Sequence, residues 1–234
     1  IHALYAAMTD CMTTKESLAI RMLNYVLIDM DGAPSKKALL DAGVGGDVSG
    51  AYEDSYKQPV WSIVVTGSEP ERQGEFSQIV DHTLRKLALT GLDKKMLTAA
   101  LNRTEFILRE NDYQGRPKGL FYGIRAMDMW LYDRDPIEAL RYYDDINGLR
   151  KAIETDYFEG LLLKYLIKNP HQVLITMKAK KGIDEKKRIE VAEQLDAYKK
   201  SLSENQITDI IEKTRVLKER QASVDSEEAL TAIP

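Results

Sequence analysis

Histidine and cysteine are the residue types that most often bind a catalytic metal, and this sequence contains few of either. The three histidines are His2, His82 and His171. None of them has the H-E-x-x-H or H-x-x-E-H spacing that places two imidazoles on one face of a helix. The single cysteine, Cys11, can form neither an internal disulfide nor a thiolate cluster, and we expect a small buried side chain.

Other arrangements that support catalysis or phosphate binding are also missing from the sequence. It contains no G-x-S-x-G, P-loop or G-x-G-x-x-G motif. The glycine-rich stretch at 43–50 leads into a strand, so no helix N-terminus would face a phosphate. Adjacent carboxylates such as Glu53 and Asp54 point in opposite directions along a strand and cannot share a proton. We therefore predict no catalytic and no metal-binding residue in this chain.

The segment 109–136, RENDYQGRPKGLFYGIRAMDMWLYDRDP, concentrates acids, arginines and aromatic residues, and two interpretations compete. It is either an active-site loop or a connector between core helices. The connector interpretation predicts a solvated turn at 111–116 and a helix opened by Pro117. It further predicts that this helix buries an apolar face and that the aromatics at its end belong to the core: Leu120, Ile124, Met127, Leu131, Trp130 and Tyr132.

Composition and charge exclude several classes of partner. The 234 residues are 44% hydrophobic, the net charge is −4 and the sequence pI is about 5.6. This balance argues against nucleic acid or an anionic membrane as a partner. No apolar run reaches the roughly 18 residues of a membrane span, and no signal-peptide pattern occurs. We expect a cytoplasmic protein and, because the sequence starts at Ile1 inside a strand-like run, a piece of a longer one.

Hydrophobic periodicity and capping signals define the elements along the chain. Strands are predicted at 1–9, 46–54, 58–67 and 171–179. Helices are predicted after N-cap candidates, each followed by an apolar stripe at helical spacing: Thr13, Ser68, Asp93 and Thr155. A further short helix ends at Gly43.

The order of these elements indicates the fold class. Strands do not alternate one-for-one with long helices, so a doubly wound sheet is disfavoured. We predict an α+β fold with two layers, a mostly antiparallel sheet with helices packed on one face. From about residue 180 the apolar stripes become narrow, and Ser203 with Gln206 forms a capping box after a loop of about two residues. We predict a domain at 1–179 and a helical hairpin with a loose tail at 180–234.

Several stretches together resemble one protein family. They are LREND, GRPKGL and AMDMWLYDRDPIEALRY, followed by YFEGLLLKYLIKNPHQVLITMKA and LSENQITDIIEKTRVLKERQASVDSEEALTAIP. In order and spacing they resemble the presequence-protease branch of the pitrilysin/insulinase zinc metallopeptidases, which includes falcilysin. The resemblance covers nearly the whole chain.

The resemblance implies a role without catalysis. In that family two halves of two homologous α+β domains enclose a chamber, and a helical hairpin joins them. The zinc motif H-x-x-E-H lies in the first domain, whereas this chain resembles the second domain and the start of the hairpin. The implied cofactor is zinc in the parent enzyme and none in this chain. The implied partners are the N-terminal catalytic domain, the C-terminal half and peptide substrates, and the chain alone could self-associate into a homodimer.

By the same resemblance, the strand at 46–54 is a candidate substrate-binding strand. Its small residues would let a peptide backbone approach and pair with it: Val48, Ser49, Gly50, Ala51 and Tyr52. The alternative is an ordinary strand with a glycine bulge. The predicted function is a non-catalytic wall domain of a zinc endopeptidase that degrades unstructured peptides. The alternative function is a catalytically inactive family homologue or a peptide-binding or assembly module.

Overall fold

A computed structural model of the protein describes residues 1–10, 12–110 and 117–224, and it contains two compact units, Ile1–Lys178 and Ala179–Pro234. The first unit contains four strands, β1 His2–Ala7, β2 Asp47–Glu53, β3 Val60–Thr66 and β4 Gln172–Thr176. Its helices are α1 Thr14–Asn24, α2 Pro34–Asp41, α3 Gln73–Thr90, α4 Lys94–Glu110, α5 Lys118–Trp130, α6 Tyr143–Ala152 and α7 Tyr157–Leu161. Helices α1 and α7 continue as π-helical turns at Tyr25–Asp29 and Leu162–Ile167. The second unit contains α8 Ile183–Ser201 and α9 Glu204–Ala222.

The four strands form one antiparallel sheet with the order β2-β3-β1-β4. Strand β3 pairs with β2 from Asp47↔Thr66 to Glu53↔Val60 without interruption. Within the described part of the chain, β2 and β4 are therefore the two edge strands. Unpaired backbone N–H and C=O groups at such edges can pair with an added strand.

One face of the sheet carries the core. Side chains alternate along a strand, and the alternate residues Trp61, Ile63 and Val65 of β3 are fully buried. They join helical residues such as Leu23 and Phe76 in a continuous hydrophobic cluster. Helices thus pack on one face of an antiparallel sheet, which confirms the predicted α+β fold class.

Most predicted helix starts are confirmed by hydrogen bonds. Thr13 accepts a bond from the backbone N–H of Glu16 at 3.2 Å, and the Asp93 carboxylate accepts one from Lys95 at 2.7 Å. The predicted helix cap at Ser68 is wrong. A 3₁₀ turn at Pro70–Arg72 precedes α3, and the buried Ser68 hydroxyl has no hydrogen-bond partner among the described residues.

Helix α5 departs from the prediction most clearly. It begins after Pro117, as the sequence indicates. The prediction that it buries its apolar face is wrong, because the five large apolar residues of that face are 41–66% exposed: Leu120, Ile124, Met127, Trp130 and Leu131. Tyr132 is half-buried rather than a core residue. The predicted turn at 111–116 lies outside the described residues.

The helical C-terminal part is confirmed. Helices α8 and α9 are separated by Leu202 and Ser203. The capping box is formed, with Ser203 accepting from the Gln206 N–H at 3.3 Å and donating its own N–H to Gln206 at 2.9 Å. None of the described residues of these two helices is buried. No described helix is both long and apolar enough to cross a lipid bilayer.

Candidate functional site

All five candidate substrate-binding residues lie in β2, at one edge of the sheet. Their inner neighbours are residues 61–65 of β3, from Val48↔Val65 to Tyr52↔Trp61. No strand among the described residues pairs with the outer side of β2. The structure therefore places the candidates on an edge that leaves main-chain groups free for an extended peptide.

The side chains of these five residues point in two directions. Val48, Gly50 and Tyr52 alternate toward the helices, opposite the buried residues of β3. Ser49 and Ala51 alternate toward the other face of the sheet, where Ser49 is exposed and Ala51 is half-buried. Only the backbone is shared by all five, so a peptide at this edge would be held mainly by main-chain hydrogen bonds.

Gly50 has a packing reason to be glycine. A Cβ atom built there would lie 2.2 Å from the Ile28 Cδ1 atom and 2.9 Å from the Ser62 carbonyl oxygen. The unbroken register on both sides of Gly50 excludes a bulge at this position. The close neighbour of Gly50 is thus the protein's own helical layer, and its small size does not by itself indicate a substrate.

Tyr52 is occupied by a polar network on the helical side. Its hydroxyl donates to Ser17 Oγ at 3.1 Å, and Ser17 donates to Asp54 Oδ2 at 2.9 Å. Arg21 forms an ion pair with the same Asp54 oxygen. Burial raises the pKa of the Tyr52 phenol well above its ordinary value, so the phenol stays neutral and positions the end of β2 against α1.

A second carboxylate completes this cluster from α5. Asp128 lines the same cleft as Arg21 and Asp54, together with Arg125. Burial raises the pKa of Asp128, and the negative charge of Asp54 raises it further. Sequence reasoning missed this cluster because its members come from α1, the end of β2 and α5, which are far apart in the chain and carry no shared motif.

The histidines do not assemble a metal site. His2 is buried, with Nδ1 3.0 Å from the Thr176 hydroxyl and Nε2 2.9 Å from the Glu69 carbonyl oxygen. His82 on α3 and His171 before β4 are exposed. Within residues 1–10, 12–110 and 117–224, no three histidine, cysteine or carboxylate side chains converge as metal ligands. The described residues therefore do not fit a catalytic zinc.

Curated proteins similar to this chain are considerably longer than it. Protein HypA of Clostridium perfringens is 40% identical over 225 residues, which are 96% of this chain and 23% of that protein. Presequence protease 1, chloroplastic/mitochondrial, of Arabidopsis thaliana is 30% identical over 222 residues, 93% of this chain and 21% of that protein. The chain thus spans between a fifth and a quarter of the length of these relatives.

Solved structures share the fold at lower identity. The inactive peptidase domain of a protein described as a zinc protease, from Bordetella parapertussis, superposes with a TM-score of 0.57 at 13% identity, covering 78% of this chain and 96% of that one. The periplasmic protease PqqL of Escherichia coli gives 0.54 at 16% identity, covering 76% and 19%. The family of regions associated with peptidases of the M16 group, subgroup C, matches residues 177–234. The chain, which carries no H-x-x-E-H motif, belongs to the presequence-protease branch of the pitrilysin/insulinase metallopeptidases as one of its non-catalytic domains.

Proposed function

We propose that this chain works within a longer polypeptide as the non-catalytic wall domain of a zinc endopeptidase that degrades unstructured peptides. The zinc and its ligands would come from another domain of that polypeptide. The relatives' greater length and the presequence-protease names among them support this proposal. When bound, the zinc would polarise the scissile carbonyl and activate water, and the described residues of this chain would take no part in that step.

The part of this chain in the proposed function is to hold the substrate away from the zinc. The observation that carries it is the position of β2 at the edge of the sheet. An extended peptide paired along Asp47–Glu53 would be bound through backbone groups, which every sequence possesses. Such a wall selects for extended, unfolded chains rather than for particular side chains.

The uncovered face of the sheet fits the same role. It is formed by the residues that alternate away from the helices, including Ser49 and Ala51 of β2, Val64 of β3 and Val173 and Ile175 of β4. Val173 and Ile175 are exposed and Val64 is half-buried. We propose that this face lines the chamber, and that residues 180–234 lead into the hinge between the two halves.

N-methylated peptides test the main-chain pairing without altering the protein. The full-length protein, inactivated by a chelator, is given long peptides methylated at one or the other of two consecutive backbone nitrogens in the segment remote from the cleavage site. An added strand pairs with an edge through alternate residues only. One methylated peptide should therefore bind about 2–10-fold more weakly and the other should bind as the unmodified peptide does.

Short peptides that contain only the cleavage site are the control, because they cannot extend to β2 and should not depend on these bonds. Equal binding of both methylated long peptides and the unmodified one would overturn the pairing proposal. An apoprotein that never binds zinc in its full-length form would overturn the wider proposal of a zinc endopeptidase.

A further inference from the structure

Helix α5 is turned with its polar side inward and its apolar side outward. Arg125, Asp128 and Met129 line the cleft that α5 forms with α1 and Asp54. The opposite side carries an exposed row of large apolar residues, which we name the α5 stripe: Leu120, Ile124, Met127, Trp130 and Leu131. Their spacing places them on one side of the helix. None of the residues of α5 is fully buried.

The inward side of α5 is fixed by charged groups, so its orientation has a definite cause. Across the cleft, Asp54 is already paired with Arg21 and accepts a hydrogen bond from Ser17 at 2.9 Å. Just after α5, Arg134 donates to the Met12 carbonyl oxygen at 2.9 Å and to Glu138 at 2.7 Å. Rotating α5 to bury its apolar side would remove Arg125 and Asp128 from this polar cleft.

A row of this size is unusual on a free surface. Single exposed apolar residues are common on soluble proteins, whereas contiguous apolar patches mark interaction sites. By contrast, α4 directs its apolar residues into the core, where Leu97, Leu101 and Leu108 are buried. The exposure of the α5 stripe is therefore specific to this helix and requires a partner surface.

The length of the relatives indicates the partner. The alignment with protein HypA covers 96% of this chain but only 23% of that protein, so most of the polypeptide lies elsewhere. A stable dimer buries about 800 Å² on each partner, more than one 13-residue helix side supplies. A contact within one polypeptide needs less area, because the linked surfaces have a high effective concentration.

We propose that the α5 stripe is an interdomain contact, covered by an apolar surface that belongs to the same full-length polypeptide outside residues 1–234. It does not bind the substrate, because α5 belongs to the helical layer and the candidate peptide edge is β2. The contact would attach this domain to its neighbour through α5, while the sheet stays free on its uncovered face.

Photo-crosslinking in the full-length protein tests the contact directly. Ile124→p-benzoylphenylalanine places a reactive group in the middle of the α5 stripe. Leu89→p-benzoylphenylalanine is the matched control, since Leu89 is a lone apolar residue on α3 with 87% exposure. After illumination and proteolysis, we expect position 124 to give one dominant crosslink to a residue outside 1–234 in the same polypeptide.

Four results would overturn the proposal: a crosslink between two copies, a crosslink to added peptide, a crosslink to another residue within 1–234, or no more crosslinking than at Leu89. A second variant, Ile124→Lys, should leave the thermal midpoint of the 234-residue chain within about 2 °C and lower that of the full-length protein by more. Equal shifts in both proteins would also contradict it. Neither experiment needs zinc or peptidase activity, so its outcome is independent of the proposed function.

Discussion

Helices α4 and α5 look alike in sequence, yet one buries its apolar side and the other exposes it. Helix α4 places Leu97, Leu101 and Leu108 in the core. Helix α5 has the same helical spacing but keeps Ile124 and Leu131 in solvent. The difference shows that apolar periodicity predicts a helix and its apolar side, whereas the surface that covers this side depends on tertiary contacts.

The largest expected effect contrasts one leucine from each helix. Leu101→Ala should destabilise the chain by about 2–5 kcal/mol, because it leaves a cavity at a fully buried site. Leu131→Ala should change stability by less than about 0.5 kcal/mol, because Leu131 is 64% exposed. Urea denaturation of the two variants measures both values. Similar losses in the two variants would show that α5 is packed in the isolated chain.

Two glycines provide a second contrast of intermediate size. Gly50→Ala should cost about 1–3 kcal/mol, because the new Cβ would overlap the Ile28 side chain and approach the Ser62 carbonyl oxygen. Gly123→Ala, inside α5, meets no atom within 4 Å and should stabilise the helix by about 0.5–1 kcal/mol. Opposite signs in denaturation experiments are the expected result. A destabilising Gly123→Ala would mean that a neighbour already covers α5 there.

The smallest effect concerns the polar side of α5. Because the folded state raises the pKa of Asp128 through burial and through Asp54, its stability falls as the pH rises through that raised pKa. Asp128→Asn removes this loss, so the variant should be more stable at neutral pH. The gain should stay below about 1 kcal/mol because solvent screens the site, and it should vanish toward the pKa of unfolded Asp, about 3.9.

Denaturation of Asp128→Asn and the unsubstituted chain at several pH values provides the measurement. A less stable variant at neutral pH would show that attraction of Asp128 to Arg125 and Arg21 outweighs burial and the repulsion by Asp54. In that case the inward side of α5 would be held by ion pairs.

Local signals allow much of the fold to be predicted from the sequence. The caps at Thr13 and Asp93 and the alternation along β3 depend on neighbouring residues, and each is confirmed. The predicted cap at Ser68 is wrong because a 3₁₀ turn at Pro70–Arg72 separates it from α3. The outward stripe of α5 differs from the prediction because apolar periodicity alone assumes that every apolar side faces its own core.

The candidate site is predictable only in part. Its location in β2 comes from the family resemblance, and the structure adds that β2 is an edge strand. The polar cluster around Asp54 is not predictable, because Ser17, Arg21 and Asp128 meet it only through tertiary packing. The small size of Gly50 is visible in the sequence, but its cause, the approach of Ile28, is a contact between separate elements.

Hydrogen exchange in the full-length protein tests the role of β2 most directly. The protein is freed of zinc by a chelator, so that a long unstructured peptide binds without being cleaved. We predict that the amides of Asp47–Glu53 exchange more slowly when the peptide is bound, whereas those of Gln172–Thr176, the other edge strand, do not change. Bound peptide with unchanged exchange at Asp47–Glu53, or with slowing confined to Gln172–Thr176, would contradict the account.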